Sequence, residues 1–339
     1  MTALKTDRRR SKPTAPASPR RPRRARPGLR QQTLKTEISC TGIGLHSGAK
    51  VSMTLAPAPV NSGIQFRRTD LKGSGNPIPA RWDHVVDTRM CTTLGNDDGV
   101  TVGTVEHLMA ALAGCGIDNA LVELNGAEVP IMDGSAHPFI FLVDCAGTVE
   151  QDAAKRILKV KKAITLDEGD RFAALVPADG FAVSFEIDFD NAAVSRQAIT
   201  LAIGDSTFKN EIARARTFGF MHEVEQLRAA GLARGGSLDN AIVVSGDKIL
   251  NEGGLRYDNE FVRHKVLDAI GDLYLAGAPI VGLFHGNCSG HGTNNRLLRA
   301  LFADSEAWSF EACSPADLLA PTAAADFWEE RPELVAAPA

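Results

Sequence analysis

One order of secondary-structure signals occurs twice in this chain, and that repetition constrains the architecture more than any other feature. Each half runs from period-two strands to a helix, a glycine, a strand, a Gly-containing stretch and a second helix. In the first half, residues 49–56 alternate, with Val51, Met53 and Leu55 on one side. The polar, Gly/Pro-rich chain that follows is expected to be irregular to about residue 80. Residues 104–114 carry Val105, Leu108, Met109 and Leu112 at helical spacing, and Gly114 and Gly116 end the pattern. A strand over 119–126 and a helix over 135–147, with Pro138 in its first turn, complete this half.

The second half opens with strand periodicity over 155–190, clearest at 181–189. Helices are predicted at 206–215 and 222–230, a strand at 240–246, a long helix at 260–276 and a strand at 279–286. A Gly-rich loop over 287–295 and a last helix starting at Asn295 follow. Two copies of one unit predict an α+β protein of two similar domains, each a layer of helices on a largely antiparallel sheet. The expected domains are 31–154 and 155–315, meeting in a polar stretch around 150–156, with 316–339 a loose Ala/Pro-rich tail.

Composition matters mainly through its asymmetry. Residues 1–30 hold 11 Lys/Arg against a single acid, Asp7, whereas the other 309 residues hold 26 Lys/Arg and 40 Asp/Glu. The basic segment has five prolines and almost no large apolar residues, so disorder is expected there. Apolar content of 44% suits a globular protein, and no run approaches the 18 apolar residues of a membrane span. No secretory signal pattern is visible. The six cysteines are scattered with no CxxC pair, which points to reduced thiols and a cytoplasmic location. Cys91 stands apart in the polar segment TRMCTTLG, which could face a site.

Chemistry concentrates on the two central helices. Glu106 and His107 are adjacent on the first, and His264, Asp268 and Asp272 recur every four residues on the second. Two side chains at i and i+4 on a helix can reach one ion. Two imidazoles and a carboxylate can fill three positions around Zn²⁺, and a spare carboxylate can serve as a base. His291, flanked by Gly290 and Gly292, and Thr217, among Phe218 and Phe220, add a possible acid and a hydroxyl. Singly, each has an ordinary explanation: a solvated face, a surface His–Asp pair, a turning loop, a packed core. Jointly they supply ligands, base and acid for metal-assisted amide hydrolysis. Gly42, Gly44 and Gly48 lack dinucleotide-loop spacing, and no phosphate loop is present.

Seven motifs in one order then give a specific resemblance: TGIGLHSG (41–48), RRTD (67–70), TVEHLMAALAGCGIDN (104–119), PIMDGSAHPF (130–139), RARTFGFM (214–221), FVRHK.LDAIGDL (261–273) and SGH..NN (289–295). From about Thr33 to about Trp308 the chain resembles the UDP-3-O-acyl-N-acetylglucosamine deacetylases, which commit Gram-negative bacteria to lipid A synthesis. The resemblance implies an active site between the helix layers of the two domains, with Zn²⁺ held by His107, His264 and Asp268. It implies Glu106 as general base, and His291 as the group assisting the tetrahedral intermediate and leaving amine. Asp272 would orient His291, and Thr217 would stabilise the oxyanion. Lys265 would meet the substrate's polar head, and Asp188 and Phe189 the uridine. Residues 217–243, with Phe218, Val224 and Ser237, would form an apolar passage for the acyl chain. Cys288 departs from relatives that carry a basic residue there for the diphosphate, and Arg171 is the candidate replacement.

The implied partner is an amphiphilic UDP-sugar, handled by a cytoplasmic monomer that needs no nucleic acid. Fe²⁺ could also occupy such a mixed His/carboxylate site. Rival expectations are a zinc amidase acting on another acylated substrate and a nucleic-acid or membrane-surface protein driven by the basic tail. A nucleotide kinase is disfavoured by the missing phosphate loop. Removing residues 1–30 would abolish binding in the tail-driven case and spare a deacetylase.

Overall fold

The computed structural model describes residues 28–71 and 77–317. Expectations for the two tails fall outside these residues, apart from 28–30 and 316–317. The helices are α1 (Glu106–Gly114), α2 (His137–Ala146), α3 (Asp205–Thr207), α4 (Met221–Ala229), α5 (Glu260–Tyr274) and α6 (His291–Ala303). Sheets rich in antiparallel pairs make up the rest of an α+β fold of two domains.

The internal repeat is present in the strand order itself. The first sheet runs Ile38–Ile43, Lys50–Pro57, Ala120–Leu124, Ile64–Arg68, Ile78–Pro79. In the second, Ile164–Asp167, Phe172–Val176, Ile280–Asn287, Phe181–Asp188 and Arg196–Ala202 follow the same sequence of neighbours. Within these five strands of each sheet one pair is parallel, Ile64–Arg68 with Ala120–Leu124 and Phe181–Asp188 with Ile280–Asn287. Parallel neighbours need a long crossover, and the crossovers contain α1 and α5. In the second sheet Arg156–Val160 also pairs in parallel with the start of the central strand Ile280–Asn287, and Trp308–Ala312 pairs antiparallel with Arg156–Val160.

Burial follows the expected periods. Val51, Met53 and Leu55 are buried while Lys50 and Ser52 are exposed, so one face of this strand meets the core. α1 and α5 differ: α1 is buried almost all round, and α5 everywhere except Arg263 and Lys265. A helix buried on every side is sandwiched. These two pack on each other, and α5 also packs on Phe181–Asp188 and Arg196–Ala202 of its own sheet. Gly271 lets the two backbones approach closely, since a Cβ there would lie 2.0 Å from the Glu106 carbonyl oxygen. Glu260, fully buried at the start of α5, is paired with the Arg216 guanidinium.

Four local expectations are corrected. His291–Asn295 is not loop but the first turn of α6, because Gly290 is extended and Asn294 N–H already bonds back to the Gly290 carbonyl. The stretch before residue 80 holds the strands Ile64–Arg68 and Ile78–Pro79, stabilised by pairing rather than by a strong local pattern. Residues 206–215 give only one α-turn and the π-helical turn Phe208–Ile212. The polar stretch near 150 is a strand, Thr148–Ala154, paired with Arg30–Leu34.

Candidate active site

Where α1 meets α5, His107, His264 and Asp268 offer donor atoms that all lie within 4.8 Å of one another. The one-turn spacing places His264 Nε2 3.3 Å from Asp268 Oδ1, and α1 brings His107 Nε2 to 3.5 Å from the same oxygen. Those separations are close to the ~3.3 Å edge of a tetrahedron with bonds of ~2.0–2.1 Å. The two rings are nearly perpendicular, with centroids 4.9 Å apart. His264 Nδ1–H donates to the Ala215 carbonyl at 3.0 Å, which leaves the Nε2 lone pair facing the cluster.

The site passes the test of an unmet buried donor set. Asp268 Oδ1 is buried with no hydrogen-bond partner, a costly state for a carboxylate oxygen unless a cation balances it. The other oxygen, Oδ2, accepts from Lys265 Nζ at 3.1 Å. Although burial opposes it, His264 and Lys265 hold the Asp268 carboxyl well below its usual range. Burial depresses His264 to about 4. A neutral His264 imidazole beside an ionised Asp268 carboxylate is the pairing of protonation states that a divalent metal requires.

Two proton-handling groups flank the cluster. Glu106 is pushed up to about 7, chiefly by burial, and its Oε2 accepts the Thr92 N–H at 3.0 Å. Its Oε1 lies 3.9 Å from His291 Nε2. His291 Nδ1–H donates to Asp272 Oδ2 at 2.9 Å. Burial would lower His291, but Asp272 and Glu106 outweigh it and raise the imidazole to about 10. Asp272 is held in turn by Thr92 Oγ1–H at 2.6 Å and by Asn294 Nδ2–H at 2.9 Å. The base-like group and the cationic imidazole thus stand on either side of a short gap.

The other candidates divide by position. Phe218 packs edge-on against Phe261 and faces the His264 ring, and Phe189 packs on Phe218. Thr217 follows the turn that supplies Ala215, and its N–H bonds to the Gly134 carbonyl. Asp188 is exposed at its strand end. Val224 is half-buried on α4, its methyl 3.6 Å from a Cβ built on Gly219. Ser237 is exposed, and it makes polar contacts with Asp239, Asn240 and Ala241 in its own turn. Arg171 is exposed on the turn that also carries Glu168, and Cys288 takes φ +48° beside the α6 start. Sequence reasoning missed Thr92, although it flagged the segment through Cys91, and gave Gly271 no role.

Fold and site together define a class: a two-domain α+β enzyme with a buried metal-ready cluster, the apparatus of a metal-dependent amidohydrolase. Residues 31–303 match the family described as UDP-3-O-acyl N-acetylglycosamine deacetylase. The chain belongs to that family. Among its relatives, a UDP-3-O-acyl-N-acetylglucosamine deacetylase of Acidithiobacillus ferrooxidans is 58% identical over 284 residues, covering 83% of this chain and 93% of the relative. Proteins of the same name from Marinobacter nauticus and Idiomarina loihiensis are 55% and 51% identical, covering 99% and 97% of their own lengths. Among the described residues, no helix is long and apolar enough to cross a membrane.

Proposed function

We propose that this enzyme hydrolyses the N-acetyl group of UDP-3-O-(3-hydroxyacyl)-N-acetylglucosamine, giving acetate and the free glucosamine amine, the committed step of lipid A synthesis. The observation that carries the proposal is the His107–His264–Asp268 cluster with Glu106 and His291 flanking it. The names of the relatives support the substrate. Zn²⁺ is the proposed metal, because two imidazoles and one carboxylate suit it; bound there, it supplies Lewis acidity toward a carbonyl and an attacking water.

The chain's own residues carry the proton traffic. Glu106 Oε1 takes a proton from the attacking water, and its raised affinity suits a base working near neutrality. His291 Nε2–H points across the gap and hands its proton to the departing nitrogen, so that the amine leaves neutral. Asp272, fixed on Nδ1, keeps that imidazole charged and aimed. The Thr217 hydroxyl is assigned to the developing oxyanion, a contact worth on the order of 3 kcal/mol. Lys265 is assigned to the polar head of the substrate, Asp188 and Phe189 to uridine, and Phe218, Val224 and Ser237 to the acyl passage. A division near residue 154, a monomeric state and a cytoplasmic location belong to the same proposal.

Metal content measured alongside acetate release tests it. Purified enzyme should hold about one Zn²⁺ and release one acetate per amine from the UDP-sugar, with no release from N-acetylated peptides. Release from the peptides but not from the UDP-sugar would overturn the substrate assignment.

A further inference from the structure

We infer that Thr92 is a positioning residue that fixes the base and the acid of the site relative to each other across the two domains. The inference rests on the proposed roles of Glu106 and His291. Thr92 is only 2% exposed and lies between the short strands of the first half, far in sequence from α5. It makes three bonds with three different consequences. Its carbonyl accepts the Val105 N–H at 3.3 Å, tying the segment to the start of α1. Its own N–H donates to Glu106 Oε2, leaving Oε1 turned toward His291. Its hydroxyl donates to Asp272 Oδ1.

The third bond decides the orientation of the acid. Asp272 Oδ2 is committed to His291 Nδ1–H and Asn294 Nδ2–H, and the Thr92 hydroxyl restrains the opposite oxygen. A carboxylate held on both oxygens cannot rotate freely, so the imidazole it grips is held too. One residue of the first domain thereby sets the Glu106 rotamer by its backbone and the His291 rotamer through its side chain. Only the second link is removable by mutation, because any residue at 92 other than proline keeps the N–H and carbonyl. Valine keeps the shape of threonine and removes the hydroxyl.

The test uses full-length, metal-loaded enzyme carrying Thr92→Val, Thr92→Ser or Glu106→Gln, with kcat, KM, bound metal and Tm measured for each. Thr92→Val should lower kcat by about 10- to 100-fold, the effect of one lost hydrogen bond to a charged group. KM should stay within about threefold and metal content should stay full. Serine restores the hydroxyl and should recover most of kcat. Parental kcat in Thr92→Val beside an inactive Glu106→Gln would overturn the inference while leaving the acid–base roles intact. Loss of metal in Thr92→Val, or serine no better than valine, would make the residue merely structural and overturn it equally. Parental kcat in Glu106→Gln would overturn the acid–base roles, and the Thr92 inference with them.

Discussion

Replacing Gly271 with alanine should damage metal binding from a position that holds no ligand. The new Cβ would sit 2.0 Å from the Glu106 carbonyl oxygen and 2.8 Å from its carbon, both backbone atoms of α1. Carbon–oxygen contacts settle near ~3.3–3.6 Å, so the helices must part by about 1.3 Å or more. Overpacking of this kind costs about 1–3 kcal/mol, offset by about 1 kcal/mol because alanine favours helix over glycine. The net loss of stability is therefore modest. The cluster suffers more, since His107 is on one helix and His264 and Asp268 are on the other. Metal–ligand bonds of ~2.0–2.2 Å tolerate no such separation, and a 1 Å misplacement costs about 10²-fold in rate. The assay is bound metal after equilibration with a buffered zinc solution, together with kcat/KM and Tm. Gly253→Ala is the control, because nothing lies within 4 Å of a Cβ there. Full metal and kcat/KM within about threefold of the parent would show that the helix contact does not set the site.

Other outcomes follow from the same geometry. Glu106→Gln should retain metal and lose about 10²-fold or more in kcat; metal loss on elemental analysis would instead make Glu106 structural. His264→Ala should leave the protein without stoichiometric metal, and full occupancy would remove His264 from the ligand set. In a pH profile of the metal-loaded enzyme, kcat/KM should rise as Glu106 loses its proton and fall as His291 loses its own; without a cation these groups stand at about 7 and about 10. A bound cation moves the acidic limb lower by favouring the carboxylate. Asp272→Asn removes a charge that raises His291 and leaves the burial that lowers it, so the alkaline limb should move to lower pH. Lys155→Met should cost about 3–5 kcal/mol in urea unfolding, since it strands the Asp118 carboxylate, which Lys155 Nζ meets at 2.6 and 2.7 Å in a buried pair.

Legibility in the sequence tracked the distance over which a signal acts. Helix geometry turns the spacing of His264 and Asp268 into proximity, so that pair could be proposed from a few residues. That His107 joins them depends on two helices meeting, which the internal repeat and the family motifs suggested and no local pattern could. The His291 turn looked like loop because glycines flank it, whereas Gly290 serves as an extended cap and Thr293 is fixed by Glu168 from a distant hairpin. Ile64–Arg68 was hidden for a similar reason: its strand state comes from parallel pairing with Ala120–Leu124, amid Gly- and Pro-rich flanks. Thr92 carries an unremarkable hydroxyl in a polar segment. Gly271 looks like a weak point in a helix until a second backbone is placed against it.

The donors project from helices rooted in two separate sheets, and this has a mechanical corollary. An ion seated among His107, His264 and Asp268 is a rivet through the joint as well as a reagent. Occupancy and docking of the halves then form one equilibrium, and each tenfold excess of free metal over its dissociation constant adds about 1.4 kcal/mol to the closed arrangement. Chelation should accordingly loosen amide protons along the α1–α5 contact, and not only silence the chemistry.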